Sequence, residues 1–186
     1  TSEPSNPWIT GVSNLFTREY YAACRARLKP GGVFCHWMPI YNMAPDDFRT
    51  AVNTFVKVFP HTTLWSYPPL LQDVIAIGTL EPQRVDPRAI ARRIAEPRVA
   101  ADLRLIQAQL CGAPRDVNAT DILQGYLMDE ESTHRYVEGG GVNVDDRPII
   151  EFATPRTVNT DEPARALWDL MRSGAIADVP LAPGSL

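Results

Sequence analysis

Residues 33–79 read VFCHWMPIYNMAPDDFRTAVNTFVKVFPHTTLWSYPPLLQDVIAIGT, and this stretch decides the fold. It contains three apolar runs rich in strand-forming residues, at 33–38, 62–67 and 73–79. A helix is predicted over 45–59, because Pro45 suits a first helical position and apolar residues follow at helical spacing. A strand–helix–strand unit predicts that the first two strands run parallel. The third strand follows too closely for a crossover, so it should pair antiparallel with the second.

On the amino-terminal side, a second helix is predicted over residues 17–28, with Tyr20, Cys24 and Leu28 on one face. The run Lys29-Pro30-Gly31-Gly32 ends it, since proline cannot continue a helix. The strand at 33–38 is a continuous apolar run, which is typical of a strand buried on both faces. We therefore expect an apolar sheet edge or face that needs a cover, and with it dimerisation, aggregation or exchange of elements between chains.

On the carboxyl-terminal side, the composition predicts a mostly helical region. Helices are expected to begin at Pro87 and Pro97, and a third, capped by Thr120, should include Tyr126 and Leu127. An extended stretch is expected over 149–152, a break at the glycines 139–141 and a last helix over 163–172. The domain organisation is accordingly 1–82, an α/β unit, and 83–186, a helical extension with a short extended segment near 148–153.

Composition restricts the classes of function. The chain has 186 residues and a net charge of −4, which argues against a nucleic-acid-binding surface. No run of about 18 apolar residues suggests a membrane-spanning helix. The three cysteines form no CxxC pair and the three histidines lie far apart, so no metal site is predicted. Unpaired cysteines of this kind are typical of a reducing compartment, which indicates a cytoplasmic location.

Several short motifs occur in a distinctive order: Ser2-Glu3-Pro4-Ser5-Asn6-Pro7, Leu15-Phe16-Thr17 with Tyr20-Tyr21, residues 28–35, Tyr67-Pro68, and residues 145–152 with the sequence DDRPIIEF. No single motif is decisive, but their order and spacing together resemble the polyamine aminopropyltransferases, the spermidine synthase-like family. The sequence of the first motif is most similar to that of a bacterial branch of this family, whose members are often fused to membrane-spanning segments. The resemblance covers the first 79 residues well and the helical region poorly.

This resemblance implies a fold, a reaction and a set of site residues. The fold would be the C-terminal half of a class I S-adenosylmethionine-dependent, Rossmann-like α/β sheet that ends in an antiparallel hairpin. The reaction would move an aminopropyl group from decarboxylated S-adenosylmethionine, the co-substrate, to a diamine such as putrescine. Glu3 would be the catalytic base, and Asn6 and Tyr67 would bind the amine. A membrane tether would belong to the parent protein.

The residues themselves add Trp8 as an amine-binding candidate. It could form an aromatic wall around a cation with Trp37, Trp65 and Tyr41, and it lies in a loop, whereas Trp37 and Trp65 lie in predicted strands and are more typical of a core.

The sequence also departs from the family pattern. Glu3 and Asn6 both stand where the family has Asp, and an amide at Asn6 would weaken the hold on an ammonium group by about 1–3 kcal/mol. The chain contains no Gly-rich strand-to-helix turn, so its cofactor-binding residues are unknown and no cofactor is expected to bind this chain alone. Two alternatives therefore stay open. One is a non-catalytic domain that serves as a soluble or dimerisation part of a membrane protein, and the other is a methyltransferase.

Overall fold

A computed structural model describes residues 1–67 and 70–153, and gives only the backbone of residues 67, 70–72 and 153. A short 3-10 helix, Val12–Phe16, precedes the regular elements. These elements are α1 (Arg18–Arg25), β1 (Phe34–Pro39), α2 (Pro45–Val56), β2 (His61–Tyr67), β3 (Leu70–Thr79), α3 (Pro87–Ile94), α4 (Pro97–Cys111), α5 (Ala119–Leu123), β4 (Tyr126–Met128), α6 (Glu130–Tyr136) and α7 (Ile149–Ala153). The fold is thus a mixed α/β arrangement, and the helices predicted at 17–28 and 45–59 are present with shorter bounds.

The four strands form one sheet in the order β1-β3-β2-β4, and each neighbouring pair is antiparallel. The predicted antiparallel pairing of the second and third strands is confirmed, because β3 pairs with β2 from His61 opposite Thr79 to Tyr67 opposite Leu70. Strands β1 and β2 run in the same direction, since both are antiparallel to β3. They do not pair with each other, because β3 lies between them and bonds to both.

Helices α1 and α2 pack on one face of the sheet and form the core with it. The first turn of α2 carries Asp46 and Asp47, which favour the positive end of the helix dipole. Its buried face reaches Gly78 of β3, where an added Cβ would lie 2.6 Å from atoms of Phe55 and Phe59. The glycine therefore lets the helix approach the sheet closely. The largest completely buried side chains are Phe16, Tyr21, Met38, Ile40, Met43, Phe48, Phe55, Phe59, Leu64, Met128 and Ile150.

The other face of the sheet is only half covered, which corrects the expectation that the first strand is buried on both faces. In β1, Phe34 and His36 are buried against the helices, whereas Cys35 and Trp37 are half-buried on the opposite face. Cross-strand partners continue this second face, since Cys35 lies opposite Ile77 and Trp37 opposite Ile75. The side chains alternate between faces along a strand, and α1 and α2 cover the first face only.

The region after residue 82 contains a strand where a helix was predicted. Tyr126 and Leu127 were expected in a helix capped by Thr120, but α5 ends at Leu123 and β4 follows it, antiparallel to β2. The cap is Asn118, whose side chain accepts a hydrogen bond from the Asp121 amide while the Asp121 carboxylate accepts from the Asn118 amide. This capping box starts the helix two residues earlier than predicted.

The stretch expected to be extended at 149–152 is instead helix α7. Pro148 precedes it, a residue whose missing N–H is harmless at a helix start, and Ile150 is completely buried in the core. The predicted flexible break at 139–141 is an ordered turn, because Asn53 Nδ2 donates to the carbonyls of Gly140 and Gly141 at 2.8 and 2.9 Å. The helix predicted at 163–172 lies outside the described residues. None of the helices described is long and apolar enough to cross a membrane.

Candidate functional site

The loop of residues 2–8 lies beside the carboxyl end of β1. Ser2 donates its backbone N–H to the Cys35 carbonyl at 2.8 Å and accepts from the Trp37 N–H at 3.0 Å, so this short segment runs parallel to β1. Tyr20 of α1 donates its hydroxyl to Ser2 Oγ at 2.9 Å, which places the Ser2 side chain on the helix-covered face. Because side chains alternate along an extended chain, Glu3 is directed to the opposite face, that of Trp37.

Tyr41 joins this loop to the turn that follows β1. Its hydroxyl donates to Asn6 Oδ1 at 2.7 Å, and the Trp8 ring meets its ring edge-on with centroids 5.8 Å apart. The Trp37 ring lies on another side of Tyr41, at 6.4 Å. Asn42, with φ of 60°, reverses the chain directly after Tyr41. Asparagine tolerates this left-handed conformation better than most residues, so the turn can hold Tyr41 over the end of the strand.

Asp73 completes the group from strand β3. It lies opposite Pro39 of β1, is half-buried, and accepts a hydrogen bond from the Trp37 indole N–H at 3.0 Å. Sequence reasoning assigned it only to the start of a strand. The available signal was a single acid at the beginning of an otherwise apolar run, VIAIG.

The electrostatics of the group keep Tyr41 protonated. Burial raises the pKa of the Tyr41 hydroxyl, the negative charge of Asp73 raises it further, and the hydrogen bond to Asn6 opposes both effects. A protonated Tyr41 donates to Asn6 and so orients that amide with its oxygen towards the ring. We call this group the carboxyl-end cluster; it comprises Asn6, Trp8, Trp37, Tyr41 and Asp73, and Glu3 lies on the same loop as Asn6 and Trp8.

The structure brings together some of the predicted site residues. Asn6 and Trp8 meet at Tyr41, whereas Glu3 is exposed and has no hydrogen bond to any described side chain. Tyr67 ends β2, opposite Leu70, and its side chain lies outside the description. Tyr41 was considered only as part of an aromatic wall and was not among the predicted site residues, and Asp73 was missed.

A cavity of about 500 Å³ lies elsewhere, between the turns at 28–33 and 79–84. It adjoins the amino end of β1, with Lys29, Glu81 and Arg84 as its charged residues. The carboxyl-end cluster lies at the opposite end of β1 from this cavity. In residues 1–67 and 70–153, no three His, Cys, Asp or Glu side chains group as metal ligands.

The chain was compared with known proteins. No model of a known protein family matches it, and no curated protein matches it either.

Proposed function

We propose that this chain is the amine-binding half of a spermidine synthase-like aminopropyltransferase with a Rossmann-like sheet. The observation that carries the proposal is the position of the loop at residues 2–8. It runs parallel to β1 and joins Asn6, Trp8 and Tyr41 beside the carboxyl end of that strand. Strands β1 and β2 run in the same direction and α2 connects them, and this arrangement supports the proposal of a Rossmann-like sheet.

The residues of the cluster suit an amine as nucleophile. Aromatic faces attract ammonium groups and pack against a methylene chain, which Trp8, Trp37 and Tyr41 provide. The Glu3 carboxylate accepts a proton from the incoming ammonium and frees its lone pair. That lone pair attacks the carbon next to the sulfonium of decarboxylated S-adenosylmethionine. The carbon–sulfur bond breaks, and its electron pair leaves with sulfur as neutral methylthioadenosine.

The co-substrate needs residues beyond those assigned here. The chain has no Gly-rich strand-to-helix turn, so the nucleoside site is left unassigned. A cytoplasmic location belongs to the same proposal, and the described cysteines are free thiols, as a reducing compartment would require. A homodimer and a membrane tether stay predictions.

A non-catalytic role is the second candidate, and one contact favours it. Asn6 Oδ1 already accepts the Tyr41 hydroxyl, so this amide has a structural partner and carries no charge for a substrate cation. In that case the cluster would be a packing unit that remains after the catalytic acid was lost.

The test measures methylthioadenosine release from decarboxylated S-adenosylmethionine with several diamines. It uses the longest natural protein that contains this sequence, with Glu3→Gln and Asn6→Asp as variants. Glu3→Gln should lower turnover about 10²–10⁴-fold, because it removes a general base with little change in shape. Asn6→Asp should tighten diamine binding, because it restores the second negative charge of the family pattern and its carboxylate can still accept from Tyr41. Glu81→Gln, at an exposed position far from the cluster, serves as the matched control.

Two results would overturn the proposal. If Glu3→Gln turns over like the unsubstituted protein, Glu3 is not the base. If no amine gives product and Asn6→Asp restores none, the non-catalytic role is correct.

A further inference from the structure

Asp73 is an unusual carboxylate for its surroundings. It is half-buried on the open face of the sheet, accepts a hydrogen bond from the Trp37 indole, and is close enough for its negative charge to act on the Tyr41 hydroxyl. A carboxylate offers about four acceptor positions, and across the described residues only the Trp37 N–H donates to this one. Partial burial removes some of the water that would otherwise hydrate this carboxylate. One neutral donor replaces only a small part of that lost hydrogen bonding.

Asp73 forms no salt bridge within the described chain, since the salt bridges found there all involve other acids. The remaining members of the carboxyl-end cluster are aromatic or neutral, and the neighbouring loop residue Glu3 is acidic. The electrostatic surface of the cluster is therefore negative, with ring faces beside it, and this combination is complementary to an organic ammonium ion.

The Trp37 indole fixes the direction of Asp73. Its hydrogen bond to Oδ1 holds the carboxylate in one orientation, so the side chain loses little freedom when a ligand arrives. The backbone also restrains the position, because Ser66 Oγ donates to the Asp73 carbonyl at 2.8 Å. Asp73 is thus held in place by β1 through one contact and by β2 through another.

We propose that Asp73 is the anionic anchor for an ammonium group of the substrate, supplying the charge that Asn6 lacks. The proposal rests on the proposed function for its choice of an amine ligand. Glu3 on the loop and Asp73 on β3 belong to different elements, so the site has two carboxylates for two cationic ends. The ligand class that follows is an aliphatic diammonium ion, with the methylene chain against Trp37 and Tyr41.

Binding measured without co-substrate separates this proposal from the transfer reaction. Isothermal titration calorimetry of the full chain gives one affinity for 1,4-diaminobutane and one for butylamine. Because the diamine has two ammonium groups and butylamine has one, the ratio of the two affinities measures the contribution of the second ammonium group. Asp73→Asn keeps the shape and an acceptor for Trp37, so the fold should survive. We expect about 10- to 100-fold weaker diamine binding, the loss typical of a charged hydrogen bond, and little change for butylamine.

Two further variants complete the design. Trp37→Phe keeps a ring but removes the donor to Asp73, and it should weaken diamine binding by about 3- to 10-fold. Asp102→Asn, at an exposed position on α4, is the matched control and should bind like the unsubstituted chain.

The outcomes distinguish the two proposals. Diamine binding that depends on Asp73, in a protein that forms no methylthioadenosine, supports the anchor and refutes the transfer. If the Asp73→Asn variant binds the diamine as tightly as the unsubstituted chain does, Asp73 is not the anchor. The transfer reaction is then still decided by the assay of methylthioadenosine release. Absence of diamine binding to the unsubstituted chain also refutes the anchor.

Discussion

At the scale of single residues, His36 is the side chain whose surroundings differ most from those it has in water. Its ring is completely buried in β1, and neither ring nitrogen has a hydrogen-bond partner in the part of the chain described. Five aromatic rings surround it with centroids 4.8–6.4 Å away: Phe16, Tyr20, Tyr21, Phe34 and Phe55. Burial, helped by the positive amino terminus, lowers its pKa from 6.5 to about 3.

This depressed pKa makes the stability of the fold sensitive to acid. Between pH 6.5 and about 3 the unfolded chain binds a proton at His36 that the folded chain rejects, so stability falls as the pH drops through that window. At pH 5 the loss from this one group is about 2 kcal/mol. Replacing His36 by leucine should remove it. We expect the difference in unfolding free energy between pH 7 and pH 5, measured with urea, to shrink by about 2 kcal/mol.

The control for this prediction is His134→Gln, since His134 is exposed on α6. It should leave the difference between pH 7 and pH 5 close to that of the unsubstituted chain. If His36→Leu keeps the full acid sensitivity, another buried group is responsible. Imidazole carbon shifts in NMR give a direct check, because a neutral His36 should not titrate above pH 5.

At the scale of elements, the short strand β4 depends on a close approach of two backbones. The Ser66 N–H donates to the Gly125 carbonyl at 2.7 Å, and a Cβ on Gly125 would lie 2.2 Å from the Ser66 carbonyl oxygen. A backbone oxygen cannot move aside as a flexible side chain could. Gly125 is therefore needed for β4 to pair with β2, and through it Tyr126 packs edge-on against Trp65 at 4.7 Å.

Gly125→Ala should cost about 2–3 kcal/mol, in the range of forced overpacking, when unfolding is followed in urea. Gly112→Ala provides the comparison. Gly112 has a φ of 76° and open space around its Cα, so that substitution should cost only about 1 kcal/mol of backbone strain. Equal losses for the two variants would show that β4 tolerates the added carbon and that the close approach is not required.

The same elements show how far prediction from the sequence could go. Helix α2 and strand β3 were predicted because Pro45, the two aspartates after it and a long apolar run are strong local signals. Strand β4 was missed because its three residues are too few to show alternation, and its strand state comes from pairing with β2. Helix α7 was predicted as extended because isoleucine favours strands, whereas burial of Ile150 decides its state.

For the candidate site, local signals located one half. The loop motif identified Glu3, Asn6 and Trp8, and the structure joins two of these through Tyr41. Asp73 could not be predicted, because its place beside Trp37 follows from the insertion of β3 between β1 and β2. The order of strands in a sheet is a tertiary property that no short motif encodes.

At the scale of the whole molecule, the chain after residue 82 divides into two parts with different roles. Helices α3, α4 and α5 pack on one another, and Gln107 is the one buried residue of 87–122. The later residues belong to the main core instead. Four of them, Met128, Tyr136, Val137 and Ile150, are buried in that core, and a fifth, Tyr126, is buried against Trp65. Asn143, completely buried, donates through Nδ2 to the carbonyls of Ser13 and Phe16 at 3.3 Å.

The last prediction uses this division. A chain that ends after Pro82 loses five buried apolar or aromatic side chains, worth roughly 1.5–3 kcal/mol each, which together rival the usual stability of about 5–15 kcal/mol. It should show no cooperative urea transition and should bind an apolar-surface dye. A chain in which about ten Gly and Ser residues replace 87–122 keeps those side chains, and the linker can span up to about 33 Å. That variant should unfold cooperatively, within about 1 kcal/mol of the full chain. If instead the excision abolishes cooperative unfolding and the truncation at Pro82 keeps it, the core is complete within the first 82 residues and the role assigned to β4 and α7 is wrong.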